Sequence, residues 1–187
     1  DGDGNAHLQG RKLRNVERKG GLPHAKGFGT VGSGTAQFLD QKGAKIVAVA
    51  DVDGTIYRPQ GIPVGQLLKA RDELGAINRG ILEFDYVKMP REDWLAVDAQ
   101  ILIPAAIADA IDKDNVHRVR AKLVIEAANI PVTAAAEREL QKMGIAMIPD
   151  FIANAGAACG LGLIISGQVR FDPPQVLQEV ARRIRDA

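Results

Sequence analysis

Gly27-Phe28-Gly29-Thr30-Val31-Gly32 opens a helix-like run, and about twenty residues on Asp51 closes a strand-like one. Glycines at this spacing, followed by a carboxylate at that distance, are the dinucleotide-binding fingerprint. Each residue type has a physical reason. Gly27 lets the backbone turn sharply out of a strand, Gly29 has no side chain to block a pyrophosphate, and Gly32 lets the helix lie close to the sheet. Phosphates placed there face free N–H groups at the positive end of a helix. Asp51, with Val52 beside it in the turn, is placed to meet the adenosine ribose. A carboxylate at that point repels a 2′-phosphate, so the expected cofactor is NAD, with NADP as the alternative if an Arg or Lys stands nearby.

The elements that must hold these residues follow from hydrophobic patterning. Helices are predicted over 33–42, 64–76, 105–114, 133–143 and 174–187. Strands are predicted over 45–50, 101–103, 122–126 and 145–148, and Asp51-Val52-Asp53-Gly54 reads as a turn. In the last segment Val176, Leu177, Val180 and Ile184 fall on one helical stripe. Strands alternating with helices give the α/β class, here a Rossmann-like, doubly wound, mostly parallel sheet with helices on both faces. Residues 27–187 form the dinucleotide-binding domain with its C-terminal helix. Residues 1–26 form a polar, basic segment (Arg11, Lys12, Arg14, Arg18, Lys19, Lys26) without strand or helix periodicity. Gly20 to Lys26 is a poor strand sequence at the place where the first strand should lead into Gly27.

In an open parallel sheet, ligands bind beyond the carboxyl ends of the strands. Ala105 and Ala106 follow one strand and are small enough for a flat ring to approach the backbone. Asn129 and Asn154 follow two others, and each amide both donates and accepts, which suits a ribose hydroxyl or a carboxamide. His7, His24 and His117 are dispersed without metal-ligand spacing, so no metal site is expected. Cys159 reads as a small apolar residue, and Trp94 as a core or interface residue.

At 187 residues with 46% apolar and 4% aromatic content, the chain should bury an aliphatic core of the kind found in parallel sheets. A formal charge of +1 argues against nucleic acid and anionic membrane as partners. One cysteine and no run of apolar residues long enough to span a bilayer point to the cytoplasm.

Five blocks resemble, in order and spacing, the nucleotide domain of glutamate dehydrogenase in the glutamate/leucine/phenylalanine/valine dehydrogenase family. They are GFGTVGSGTAQFL, GAKIVAVADVDGTIYRPQGI, AQILIPAAI, AKLVIEAANIPVT and GIAMIPDFIANAGA, covering residues 27 to about 157. The resemblance implies reversible oxidative deamination of an amino acid to a 2-oxo acid and ammonium, with hydride passed to NAD or NADP. It implies that Ala105 and Ala106 lie against the nicotinamide, and that Asn129 and Asn154 bond its riboside and carboxamide. It implies a homo-oligomer as well.

Three positions depart from the family pattern, which usually has glycine where Ala127, Ile130 and Ala157 stand. The family's substrate domain, with its catalytic lysine and aspartate, has no counterpart here. Gly20 to Gly27 echoes the lysine motif but overlaps the dinucleotide turn, so no catalytic residue is assigned. The expected function is therefore the cofactor-binding domain of an NAD(P)-dependent amino-acid dehydrogenase, its substrate domain supplied from elsewhere. The alternative is a non-catalytic Rossmann-fold binding or assembly module.

Overall fold

The computed structural model of the chain describes residues 28–186. The basic segment 1–26, the question of a strand over 20–26, and Gly27 lie outside the described residues.

Helix α1 (Thr30–Gln41) starts directly from the glycine turn, with Gly29 as its N-cap. The apolar run after it becomes β1 (Ala48–Asp51), in which Val49 is buried. The turn at Asp51–Gly54 is a hairpin. It returns the chain as β2 (Gly54–Tyr57), antiparallel to β1 with Val49 opposite Ile56, and β3 (Val87–Met89) adds to the far edge of β2. Helix α2 (Val64–Ala70) packs beneath. The expected helix over 64–76 stops at Ala70 because the backbone is extended at Arg71, which bridges to Ile77. One core cluster belongs to this half, built on Phe28, Ile56, Val64 and Leu67.

The second sheet is parallel: β4 (Ile101–Leu102), β5 (Leu123–Ile125) and β6 (Ala146–Ile148), with β5 central. Helix α3 (Ala134–Lys142) is capped by Thr133, whose hydroxyl oxygen accepts from the Ala136 amide at 3.2 Å, a cap worth about 1 kcal/mol. Ala136 and Leu140 are fully buried in a second cluster around Val124.

The helix expected over 105–114 does not form. Its backbone donors go elsewhere: Asp109 N–H to the Ile130 carbonyl and Ile111 N–H to the Pro131 carbonyl, both 2.9 Å. Asp109 itself has φ +55°, outside any right-handed helix. Pairing across to 130–132 has replaced local i→i−4 bonding.

At the C-terminal end come α4 (Asp150–Ala153), α5 (Gly156–Ile165) and α6 (Pro173–Asp186). α5 was not expected from its glycine-rich sequence. It is stabilised by close packing on α6: a methyl added at Gly160 would lie 3.2 Å from Val176 and 3.5 Å from Val180. Val176, Val180 and Ile184 of the stripe read on α6 lie toward α5, but only Val180 is buried, and Leu177 and Ile184 remain exposed. Phe151, Leu161, Ile165 and Phe171 are also exposed.

A cavity of 1030 Å³ runs along β1 and β4 over their whole length, lined by residues 44–51 on one side and 97–107 on the other.

Candidate functional site

Phe28, Gly32, Asp51, Ala105 and Ala106 all line this single cavity. Residues far apart in sequence thus border one cavity, together with the residues that precede β1 and β4. Phe28 is buried at 1% exposure and anchors the turn. Thr30, Val31 and Gly32 form the first turn of α1, and Val31 is half-exposed. The N-terminus of α1 has no side-chain cap, so the N–H groups of its first turn are left for a ligand or water.

Gly29 is approached from a direction the spacing does not reveal. Gly75, in the loop after α2, sits so close that a Cβ there would lie 2.8 Å from both the Cα and the N of Gly29. Absence of a side chain at Gly75 therefore lets the loop after α2 lie directly against the backbone of the glycine turn.

Asp51 is at the end of β1 as expected, but its carboxylate faces inward, with a side chain 0% exposed. Arg79 grips it with two bonds, Nη2 to Oδ1 at 2.7 Å and Nη1 to Oδ2 at 3.0 Å. The amides of Ile77 and Asp53 donate to it at 2.8 and 2.9 Å. Burial would raise the Asp51 carboxyl, but the Arg79 and backbone hydrogen bonds, with the Arg79 charge, outweigh it and hold the group below its ordinary value. A ribose hydroxyl at this strand end would have to share a carboxylate whose donors are already in place. The accessible carboxylate there is Asp53, exposed and 3.6 Å from Arg79. Val52 is half-buried in the hairpin turn. Arg79 was missed in the sequence because nothing local marks it; its partner is 28 residues away.

Asn129 and Asn154 meet each other rather than the cavity: the Asn154 amide donates to the Asn129 side-chain oxygen at 2.7 Å. Beside them Ile130 has φ +48°, a conformation that costs an L-residue about 1–2 kcal/mol and a β-branched one the more. This is one of the positions where glycine is the family's usual residue. Ile130 is 64% exposed, so its side chain contributes little burial in return. Ile130→Gly is expected to raise thermal stability by about 1 kcal/mol, after allowing for glycine's extra freedom in the unfolded chain. A thermal melt showing no rise would refute the strain.

Ala105 and Ala106 lie in the loop after β4, both half-buried. His117 is exposed, Cys159 is half-buried, and among the described residues no group of His, Cys, Asp or Glu is arranged to hold a metal. No helix among the described residues is long and apolar enough to cross a membrane.

Fold and site together define an α/β protein of the Rossmann type. The chain belongs to the Glutamate/Leucine/Phenylalanine/Valine dehydrogenase family, whose profile matches residues 11–169. It is 38% identical over 148 residues to the NAD-specific glutamate dehydrogenase of Staphylococcus aureus, covering 79% of this chain and 35% of that one. It is 42% identical over 135 residues to the NADP-specific glutamate dehydrogenase of Saccharolobus shibatae, covering 72% and 31%. Among solved structures, the leucine-bound hetero-hexameric glutamate dehydrogenase from Thermus thermophilus superposes with a TM-score of 0.71 at 26% identity, over 90% of this chain and 41% of that one. The chain spans about a third of the length of the curated relatives it matches.

Proposed function

We propose that this chain is the cofactor-binding part of an NAD-dependent amino-acid dehydrogenase, with glutamate as the favoured substrate. The reaction is reversible oxidative deamination to a 2-oxo acid and ammonium. Substrate-binding and proton-transferring groups come from a further domain or from other subunits, and the working form is a homo-oligomer. The observation that carries this reading is the Phe28–Gly32 turn opening α1 with Asp51 closing the following strand, in a chain of this family.

The residues suit a dinucleotide at both of its ends. Gly27 to Gly32 and the uncapped start of α1 would take the pyrophosphate. Asp51 and Val52 would shape the adenosine end, Asp51 acting from inside through Arg79 and Asp53 presenting the outward charge that disfavours a 2′-phosphate. Ala105 and Ala106 would flank the nicotinamide, and Asn129 and Asn154 would bond its riboside and carboxamide. A bound nicotinamide supplies the hydride acceptor; the chain's own residues bind and orient it. Exposed Phe151, Leu161, Ile165 and Phe171 support a further protein surface covering this end of the molecule.

Titration of the full chain with NADH and NADPH in parallel, followed by nicotinamide fluorescence, tests the reading. Saturable binding with NADH the tighter is expected, weakened about tenfold or more in Gly29→Val because a side chain there obstructs the phosphate turn. A folded chain that binds neither cofactor at about 1 mM would refute it. That result would support the second reading, a non-catalytic binding or assembly module, which the internal engagement of Asp51 favours.

A further inference from the structure

Glu126 and Asp150 stand outside every role described so far, yet they connect the two loops that carry Asn129 and Asn154. Glu126 ends the β5 run and is 6% exposed, an unusual place for a carboxyl group. Its Oε2 accepts from the Asp150 amide at 2.9 Å, and the Val132 amide nearby also favours its charged form. Burial raises the Glu126 carboxyl, and the nearby Asp150 charge adds to this while the two amides oppose it. A buried carboxyl at the end of a parallel strand is thus committed to holding the start of the segment that carries Asn154.

Asp150 works in two directions. Its Oδ2 accepts from the Ile130 amide at 2.8 Å, and its Oδ1 from the Phe151 amide at 2.7 Å. Its backbone carbonyl accepts from the Asn154 amide at 2.8 Å. Its carboxylate therefore fixes the backbone immediately after Asn129, and it stands one helical turn from Asn154. The Ile130 carbonyl is held as well, by Asp109 at 2.9 Å. With both backbone polar groups of that residue occupied, Ile130 stays at φ +48° although an L-residue there is strained. The two Asn side chains end 2.7 Å apart.

We infer that Glu126 and Asp150 are positioning residues for the nicotinamide end of the cofactor, holding Asn129 and Asn154 as a preformed pair of amides that a ligand's riboside and carboxamide can enter. This rests on the dinucleotide reading above. It goes beyond that reading by assigning a task to two carboxylates that touch no ligand themselves. Preformed polar groups bind more tightly than mobile ones because less ordering is left to do on binding.

The test separates the two halves of the cofactor, using the full chain with NADH and with ADP, which lacks the nicotinamide half. The wild-type chain should bind NADH more tightly than ADP. Asp150→Ala should raise the NADH dissociation constant about tenfold, from lost charge-assisted hydrogen bonds, and leave that of ADP within about twofold. Glu126→Ala should behave alike, while Glu126→Gln, which keeps an acceptor for the Asp150 amide, should restore most of the affinity. ADP binding doubles as the check that each variant is folded. If Asp150→Ala does not fold, Asp150→Asn keeps the volume and one acceptor oxygen, and should show the same selective loss in smaller degree.

A parallel loss for NADH and ADP would make the residues merely structural and overturn the inference, as would no loss for either. Wild-type chain that binds ADP and NADH equally would overturn it too, with the dinucleotide site left standing. Binding of neither would overturn both.

Discussion

Arg79→Met is expected to destabilise the chain by about 3 kcal/mol, a fall in melting temperature of about 10 °C for a domain of this size. The reason is asymmetric burial. Asp51 has a side chain that is 0% exposed and Arg79 one that is 14% exposed, so the pair is almost dry. Removing the guanidinium leaves an uncompensated carboxylate inside the protein, which costs more than the intact pair contributes. Methionine keeps most of the volume, so the loss reports charge and hydrogen bonding more than packing. The estimate sits at the low end of the range for such pairs because the Ile77 and Asp53 amides still donate to Asp51.

The effect has a pH signature whose sign is fixed. In the intact protein the Asp51 carboxyl lies below its ordinary value, so its contribution to stability is present above the unfolded-state value of about 3.9. It is lost as pH falls through the lower, folded value. Without Arg79, burial is opposed only by the two backbone amides, so the variant's Asp51 carboxyl lies above the wild type's. The gap between wild type and variant should therefore be full at pH 7 and close progressively as pH falls from the variant's folded value through that of the wild type. Melts from pH 3 to pH 8 measure this, and a gap that stayed constant to pH 3 would assign the loss to packing instead.

What the sequence made legible follows from the range of the interactions. α1 and α3 could be read because their signals are local: a glycine before and after α1, and Thr133 four residues ahead of Glu137 at the start of α3. The parallel strands β4, β5 and β6 could be read as continuous apolar runs. The segment 105–114 misled for the converse reason. Its alanines and isoleucines favour helix, and nothing nearby announces that residues 130–132 will claim its amides. The same holds for α5, whose Gly156 and Gly160 weaken an isolated helix but admit Val176, Val180 and Ile184 of α6. Asp53-Gly54 was a hairpin signal read only as a turn, because the strand after it is four residues long.

The candidate site divides along the same line. Residue types at strand ends named the glycine turn, Asp51, the two alanines and both Asn. What holds them, Arg79 on Asp51, Gly75 on Gly29 and Asp150 on Ile130, acts between loops far apart in the chain and leaves no periodic trace. One clue was present and unread: Glu126, a charge closing an apolar parallel-strand run, asks for a buried partner.

Gly75→Ala should cost about 3 kcal/mol and weaken NADH binding beyond what the loss of stability alone explains. Two effects combine. At φ +87° an alanine is strained wherever it stands. Here its methyl would also sit 2.8 Å from Gly29 Cα and N and 2.9 Å from the Phe28 carbonyl oxygen, all backbone atoms that cannot swing aside. Something must shift, and what shifts is the glycine turn at the start of α1. Gly43 separates the two contributions. It has φ +81°, nearly the same conformation, with nothing within 4 Å of an added Cβ. Gly43→Ala should therefore cost only about 1 kcal/mol and leave NADH affinity unchanged at temperatures where the variant is folded. Paired melts and NADH titrations of the two variants decide the matter. Equal losses would mean that backbone conformation alone makes Gly75 necessary. A larger loss at Gly75, with cofactor affinity falling too, would mean that the loop following α2 buttresses the phosphate turn. The two halves of the fingerprint would then be held by one segment, Gly75 against the turn and Arg79 on Asp51.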